Sequence, residues 1–253
     1  MKRLLSAAIA IPVVILITLL APGWLFALVI GLVSALAVEE FFSLAEKQGI
    51  GRPGRWFAVP AAGVSVSFLW GFGWVVTAIV ASAMLLMTAA VFSGTLHAAL
   101  GRVGMGIGSL VYCPVTLGFM VLMPRNQILL LFGIIWVGDT AAYYGGRAMG
   151  RHLLAPQVSP KKTVEGAISG LIGSMAIGVG AGSAFFHQPV PSLIWISAAT
   201  AIAGQIGDLA ESVLKRSAGV KDSSSIIPGH GGILDRLDSL FFAAPIFYWF
   251  FTA

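Results

Sequence analysis

The sequence predicts an all-α, polytopic integral membrane protein with about nine transmembrane helices. Three observations predict it. Only 10% of the 253 residues are charged, where a soluble domain carries about 25%. The hydrophobic residues, 58% of the chain, fall in long unbroken runs rather than in amphipathic stripes. The cations alternate by loop, as topogenic charges do. A basic balance of +5 therefore reads as topology, not as nucleic-acid binding.

Matched against a span of about 20 residues, the apolar runs lie at roughly 4–20, 24–43, 56–71, 74–93, 103–123, 127–146, 164–186, 193–214 and 233–252. The first follows Lys2-Arg3 and has no clean small-x-small cleavage site, so it reads as a retained span rather than a signal peptide. Pro22-Gly23 separates it from the second, and Gly71-Phe72-Gly73 separates the third from the fourth; both are turn signals. Pro124-Arg125-Asn126 ends the fifth run and His187-Gln188-Pro189 the seventh. The seventh is rich in glycine, among them Gly166, Gly170, Gly173 and Gly178, which suits close helix packing. Cys113 is the single cysteine, so no intramolecular disulfide forms, and no zinc or redox motif is present.

With the N-terminus inside, fourteen of the fifteen cations fall in inner loops and only Arg125 in an outer one. The positive-inside rule then places the N-terminus in the cytoplasm and the C-terminus outside. All ten carboxylates follow the same side, from Glu39, Glu40 and Glu46 to Asp238. A transporter more often needs polar groups at the midplane and on both faces. An enzyme joining a cytosolic substrate to a membrane lipid needs them on one face only. On this reading residues 1–125 supply about five N-terminal spans. Residues 126–253 supply a catalytic region of about four spans with a cytoplasmic-face site, and no soluble domain is expected.

The polar chemistry concentrates in Ser212–Asp238. Asp208, Ser212 and Lys215 are spaced i, i+4, i+7 and share one helical face. A carboxylate and a hydroxyl one turn apart suit a hard cation such as Mg²⁺; a helix end tied by a carboxylate–cation pair is the alternative. Asp235 and Asp238, at i, i+3, point to one side of a first turn. They form either a metal-carboxylate pair or two acids favoured by the helix dipole. Between these helices, Pro228-Gly229-His230-Gly231-Gly232 frees the backbone to approach a ligand, with amides and a helix start available to phosphate oxygens. His230 is open to three roles: phosphate donor, acid/base or loop hydrogen-bonder.

A second cluster, Ser159-Pro160-Lys161-Lys162-Thr163-Val164-Glu165-Gly166, places lysines and hydroxyls at a helix start. It suits a polyphosphate or an anionic head group, or else a plain positive-inside anchor. Upstream, Asp139 and Thr140 lie inside an apolar run, where a carboxylate is costly unless paired or bound. Carboxylates for metal together with Arg216, Lys221, Arg236 and the lysines for phosphate point to metal-assisted phosphoryl or nucleotidyl transfer. No Walker, kinase or HExxH motif competes with that reading.

The run S-x-x-K-R-x-x-x-x-K-D-x-S-x-x-I-P-x-H-G-G-I-x-D-R-L-D, from Ser212 to Asp238, resembles the signature of the phosphatidate cytidylyltransferase (CDP-diacylglycerol synthase) family. The SPKKTxEG and DTxAYxxGR runs are similar to family features as well. The resemblance implies a Mg²⁺-dependent membrane enzyme of bacterial inner-membrane type, with room for a second cation, dimeric in at least some members. Its substrates are CTP and phosphatidic acid, it works among membrane lipids, and no nucleic acid is a partner. Carried onto this chain, it implies Asp208 and Asp235 as main metal ligands, with Ser212, Asp222 and Asp238 as further ones. Catalysis would rest on Asp208, Asp235, Lys215 and Asp238. Lys215, Arg216, Lys221, His230 and Arg236, with Gly231 and Gly232, would hold the triphosphate. Ser159, Lys161, Lys162 and Thr163 would bind CTP phosphate or the lipid head group. The rivals are a CTP-dependent lipid kinase, a cytidylyltransferase acting on another lipid phosphate, and a flippase.

Overall fold

The computed structural model describes residues 2–93, 96–186, 188–226 and 231–252. Every apolar run is helical. The order is α1 (Lys2–Leu20), α2 (Gly23–Lys47), α3 (Ala58–Ser67), α4 (Phe72–Val91), α5 (Ala99–Leu110), α6 (Thr116–Leu122) and α7 (Arg125–Met149). There follow β1 (Leu153–Ala155), β2 (Ser159–Thr163), α8 (Val164–Phe186), α9 (Val190–Ser217) and α10 (Leu234–Thr252). Among the described residues six helical stretches are long and apolar enough to cross a membrane: α2, α4, Leu96–Leu122, α7, α8 and α9. The third run differs from a full span. Its α-helix has ten residues, framed by 3-10 turns at Arg55–Phe57 and Phe68–Trp70, and ten residues rise only about 15 Å. The fifth run is broken by a π-turn at Val111–Val115 that contains Pro114, a residue with no amide to give the helical ladder.

The chain packs as two units. The first comprises Met1–Leu122 with Leu214–Leu237, the second Met123–Val213 with Asp238–Ala253. The charge-rich segment thus belongs with the N-terminal helices. In the first unit α2 is the central element, burying Phe26, Ala37, Phe41, Phe42 and Leu44. Phe42 meets Phe57 edge-on at 5.9 Å between centroids. The Ser65 hydroxyl lies 2.8 Å from Ser34 Oγ and 2.9 Å from the Pro114 carbonyl, so these two buried serines are satisfied within the apolar packing. In the loop after α2, Arg52 pairs with Glu46 and Glu39. The hydrogen bond to Glu46, aided by the charges of both carboxylates, holds its pKa above the ordinary arginine value.

In the second unit α7 and α8 run in close contact because small residues face each other. A Cβ on Gly138 would lie 2.1 Å from Ser174 Oγ, and one on Gly173 would lie 2.6 Å from the Ala141 Cβ. The Ser174 hydroxyl donates across the interface to the Ile134 carbonyl at 2.8 Å. The glycine run of the seventh span therefore serves helix packing.

One feature falls outside the all-α expectation. β1 and β2 form a short antiparallel hairpin, with Leu153 opposite Thr163 and Ala155 opposite Ser159. Three- and five-residue strands carry too little alternation to be read from sequence. Glu165 clasps the hairpin's base: Oε2 accepts the Arg151 amide at 3.0 Å and the His152 amide at 3.2 Å, and Oε1 meets His152 Nδ1 at 2.6 Å. Thr163 Oγ1 accepts the Gly166 amide at 3.1 Å, an N-cap that starts α8 directly after β2.

Candidate active site

The residues singled out from the sequence gather in two places, one in each unit. In the second unit a cavity of about 520 Å³ is lined by Asp139, Tyr143 and Arg147 of α7, by Leu154, Lys161, Lys162 and Thr163 of the hairpin, and by Gln205 and Asp208 of α9, with small residues of α7 and α8 between. The DTxAYxxGR run, the SPKKT run and the polar end of α9 thus meet at one surface. Asp139 reaches it from the middle of α7, exposed to the cavity, as a carboxylate placed in an apolar helix would need to be. Lys162 Nζ lies 2.5 Å from Asp208 Oδ2. Gln205 Nε2 donates to the Ala167 carbonyl at 3.0 Å and holds α9 against α8. Ser159, at the start of β2, does not line this cavity. Ser212 lies one turn along α9 from Asp208 and is half-buried.

In the first unit the signature segment folds around two carboxylates. Asp235 opens α10 with its side chain 5% exposed. Its Oδ1 accepts Lys215 Nζ at 2.6 Å. Its Oδ2 accepts the Ser223 amide at 2.9 Å, the Ser223 hydroxyl at 2.8 Å and the Gly232 amide at 2.8 Å. Arg216, Lys221, Asp222 and Arg236 are exposed on the same segment, and Arg216 Nη1 donates to the Val220 carbonyl at 3.1 Å. Asp238 is half-buried one turn into α10. His230 lies outside the described residues.

The second carboxylate is one that sequence reasoning passed over. Glu40 of α2, 3% exposed, accepts the Ile233 amide at 2.9 Å and the Ser224 hydroxyl at 2.7 Å on Oε1. On Oε2 it accepts the Leu234 amide and the Ser223 hydroxyl, both at 2.8 Å. Gly232 makes room for it: a Cβ there would lie 2.2 Å from Glu40 Oε2 and 2.2 Å from Ser223 Oγ. Gly231 adopts φ +78°, a left-handed conformation natural to glycine. The amides expected to face phosphate oxygens, those of Gly232, Ile233 and Leu234, face protein carboxylates instead. The reason is chemical equivalence, since an unpaired helix start attracts any carboxylate within reach. The only sequence signal for Glu40 was a charged residue inside an apolar run, shared with its neighbour Glu39.

Both aspartates first named as metal ligands are thus held by lysines, Asp208 by Lys162 and Asp235 by Lys215. Among the described residues no three His, Cys, Asp or Glu side chains converge as a ready-made metal cage. A Mg²⁺ site needs no such cage, because the ion is usually held by one or two carboxylates together with substrate phosphates and water. Asp139 and Asp208, hard oxygen donors on the wall of an open cavity, fit that pattern. Asp235, with both oxygens already accepting hydrogen bonds, fits it only on exchange of Lys215.

Comparison with known proteins adds an independent line. The family described as "Cytidylyltransferase family" matches residues 1–253. A phosphatidate cytidylyltransferase of Staphylococcus saprophyticus is 35% identical over 256 aligned positions, covering 96% of this chain and 96% of that protein. One of Haemophilus influenzae is 44% identical over 133 residues, covering 49% of this chain and 45% of the relative. One of Staphylococcus haemolyticus is 48% identical over 122 residues, covering 48% of this chain and 47% of the relative. For these last two, the chain therefore spans about half the length of the relatives it matches.

Proposed function

This chain belongs to the cytidylyltransferase family, and from that premise we propose that it transfers a cytidylyl group from CTP to phosphatidic acid. A phosphate oxygen of phosphatidate attacks the α-phosphorus of CTP, and the bond from that phosphorus to the bridging oxygen breaks. Pyrophosphate leaves with the electron pair, and the lipid product is CDP-diacylglycerol. The attacking phosphate is already ionised at neutral pH, so the step needs no general base. Its catalysis is positioning together with neutralisation of charge.

The single observation that carries this reading is the cavity of the second unit. It combines carboxylates (Asp139, Asp208) and cations (Arg147, Lys161, Lys162) with an apolar edge (Tyr143, Leu154). That is the combination demanded by a triphosphate or lipid phosphate attached to apolar chains. Lys161, Lys162 and Thr163 bind phosphate there. Lys215, Arg216, Lys221, His230 and Arg236 belong to the signature segment that neutralises the triphosphate. Asp208 and Asp139 of the cavity would hold Mg²⁺; the resemblance names Asp235 beside Asp208 as a main ligand, with Ser212, Asp222 and Asp238 as further oxygen donors. The chemistry such an ion supplies when bound is neutralisation of the triphosphate oxygens.

The chain is an integral membrane protein, and we place the site on the cytoplasmic side of a bacterial inner membrane. The support is the distribution of charge: every carboxylate and all cations but Arg125 fall in loops of one parity or in the span halves that adjoin them. A homodimer in the bilayer is part of the same reading. Purified protein incubated with phosphatidic acid and CTP labelled at either the α- or the γ-phosphate tests the function. Label in the lipid from the α position supports it, while label in the lipid from the γ position makes the protein a lipid kinase. Substrate movement across liposomes without CTP consumption would make it a flippase.

A further inference from the structure

Glu40 is the residue on which the signature segment closes, and neither the signature nor the cavity includes it. Its four described side-chain partners are all donors from one segment: two serine hydroxyls, the Ile233 amide just before α10 and the Leu234 amide that opens it. A helix start is ordinarily capped by a side chain from the residue just before it. Here the cap for Leu234 comes from 194 positions away, and it places a carboxylate in a site that is 3% exposed. Burying a carboxylate is costly, and a local serine or asparagine would cap the helix at lower cost. What the distant carboxylate adds is location: it fixes the segment and the start of α10 against α2.

The link from Glu40 to Asp235 is the Ser223 hydroxyl. It lies 2.8 Å from Glu40 Oε2 and 2.8 Å from Asp235 Oδ2. A hydroxyl has one proton to give, so two carboxylates share one donor and the place of each depends on the other. Gly232 reinforces the link, because its missing Cβ is what lets Glu40 Oε2 and Ser223 Oγ come so near. We propose that Glu40 is a positioning residue for the cytidylyl transfer, setting Asp235 and the first turn of α10 through Ser223 and the helix-start amides. The proposal rests on the functional reading above.

The test uses the full chain purified in detergent, with label transfer from α-labelled CTP to phosphatidate as the assay. Wild-type protein is measured first; absence of transfer there refutes the functional reading whatever Glu40 does. E40Q keeps the shape but turns an NH₂ group toward donors. Its kcat should fall about 30-fold or more, with KM for both substrates within about threefold of wild type, when assayed at a temperature below its own lowered melting point. E40D, which keeps the charge, should recover part of the loss. The double variant E40Q/S223A should be no slower than the slower single variant, because both changes act on one link. A kcat for E40Q within about twofold of wild type, or losses that multiply in the double variant, overturns the proposal. If E40Q does not fold, S224A takes its place, since the acceptor of the Ser224 hydroxyl is Glu40 itself. A drop in kcat of about threefold or more is then expected, and an unchanged kcat overturns it.

Discussion

Replacing Gly232 by alanine tests the construction of the signature segment most sharply. Gly232 is not among the positive-φ glycines, so the backbone tolerates alanine and only space is at issue. The added Cβ would lie 2.2 Å from Glu40 Oε2 and 2.5 Å from Glu40 Cδ. Carbon–oxygen contacts settle near 3.3–3.6 Å, so the carboxylate must retreat by roughly 1 Å. Its hydrogen bonds to Ile233, Leu234, Ser223 and Ser224 now span 2.7–2.9 Å. A retreat of that size takes the ones it opposes beyond hydrogen-bonding distance. Each bond to a charged acceptor contributes about 1.5–3 kcal/mol. Losing one or two, with partial repair by water, costs about 2–4 kcal/mol, or roughly 30- to 700-fold at 1.4 kcal/mol per decade. The assay is label transfer from CTP together with the thermal midpoint in detergent, run beside G180A as control. An added Cβ at Gly180 meets nothing within 4 Å, and alanine is the better helix former by about 1 kcal/mol, so G180A should match or exceed wild type in stability. If G232A keeps kcat/KM within about twofold of wild type, the carboxylate-centred account of this segment is wrong.

Other outcomes follow from the same geometry. K215M strands the buried Asp235 carboxylate without its cation; this should cost about 3 kcal/mol and lower the thermal midpoint by roughly 6–10 °C, and K215M/D235N should recover part of it. K162M removes the cation beside Asp208 in the cavity; KM for CTP or phosphatidate should rise about tenfold, with the thermal midpoint little changed because that pair is partly exposed. Chelating divalent cations with EDTA should abolish transfer and added Mg²⁺ should restore it; full activity in EDTA would remove the metal from the account. A membrane-impermeant label should reach a tag at the N-terminus only from the cytoplasmic side of inverted vesicles, and labelling from the opposite side would reverse the assigned topology.

The sequence made the helices legible because hydrophobic length is a local property. Each of the nine apolar runs is helical, and Gly166, Gly170 and Gly173 of α8 lie against α7 as small-residue packing requires, while Gly178 and Gly182 lie against Ser197 and Leu193 of α9. The polar clusters were legible for the same reason, since charge in so apolar a chain is conspicuous. That Asp139, Lys161, Lys162, Thr163 and Asp208 share one cavity was hinted at only by their common side of the membrane. What stayed hidden depends on partners far apart in the chain. Glu40 and Ser223 are separated by 183 positions, and nothing in either neighbourhood names the other. The hairpin at Leu153–Thr163 escaped because its strands are too short to show a period. The π-turn at Val111–Val115 escaped because Pro114 marks a break but not its form. The glycine loop was read as a cradle for phosphate; among its described residues the Gly232 amide faces Asp235, and the Ile233 and Leu234 amides that follow face Glu40.

Cytidylyl transfer from CTP to phosphatidic acid leaves a chemical signature in both products. Purified protein, phosphatidic acid, Mg²⁺ and CTP labelled at the α-phosphate should give a labelled lipid together with one equivalent of unlabelled pyrophosphate. A lipid labelled only from γ-labelled CTP, or no labelled lipid from a folded preparation, contradicts the account.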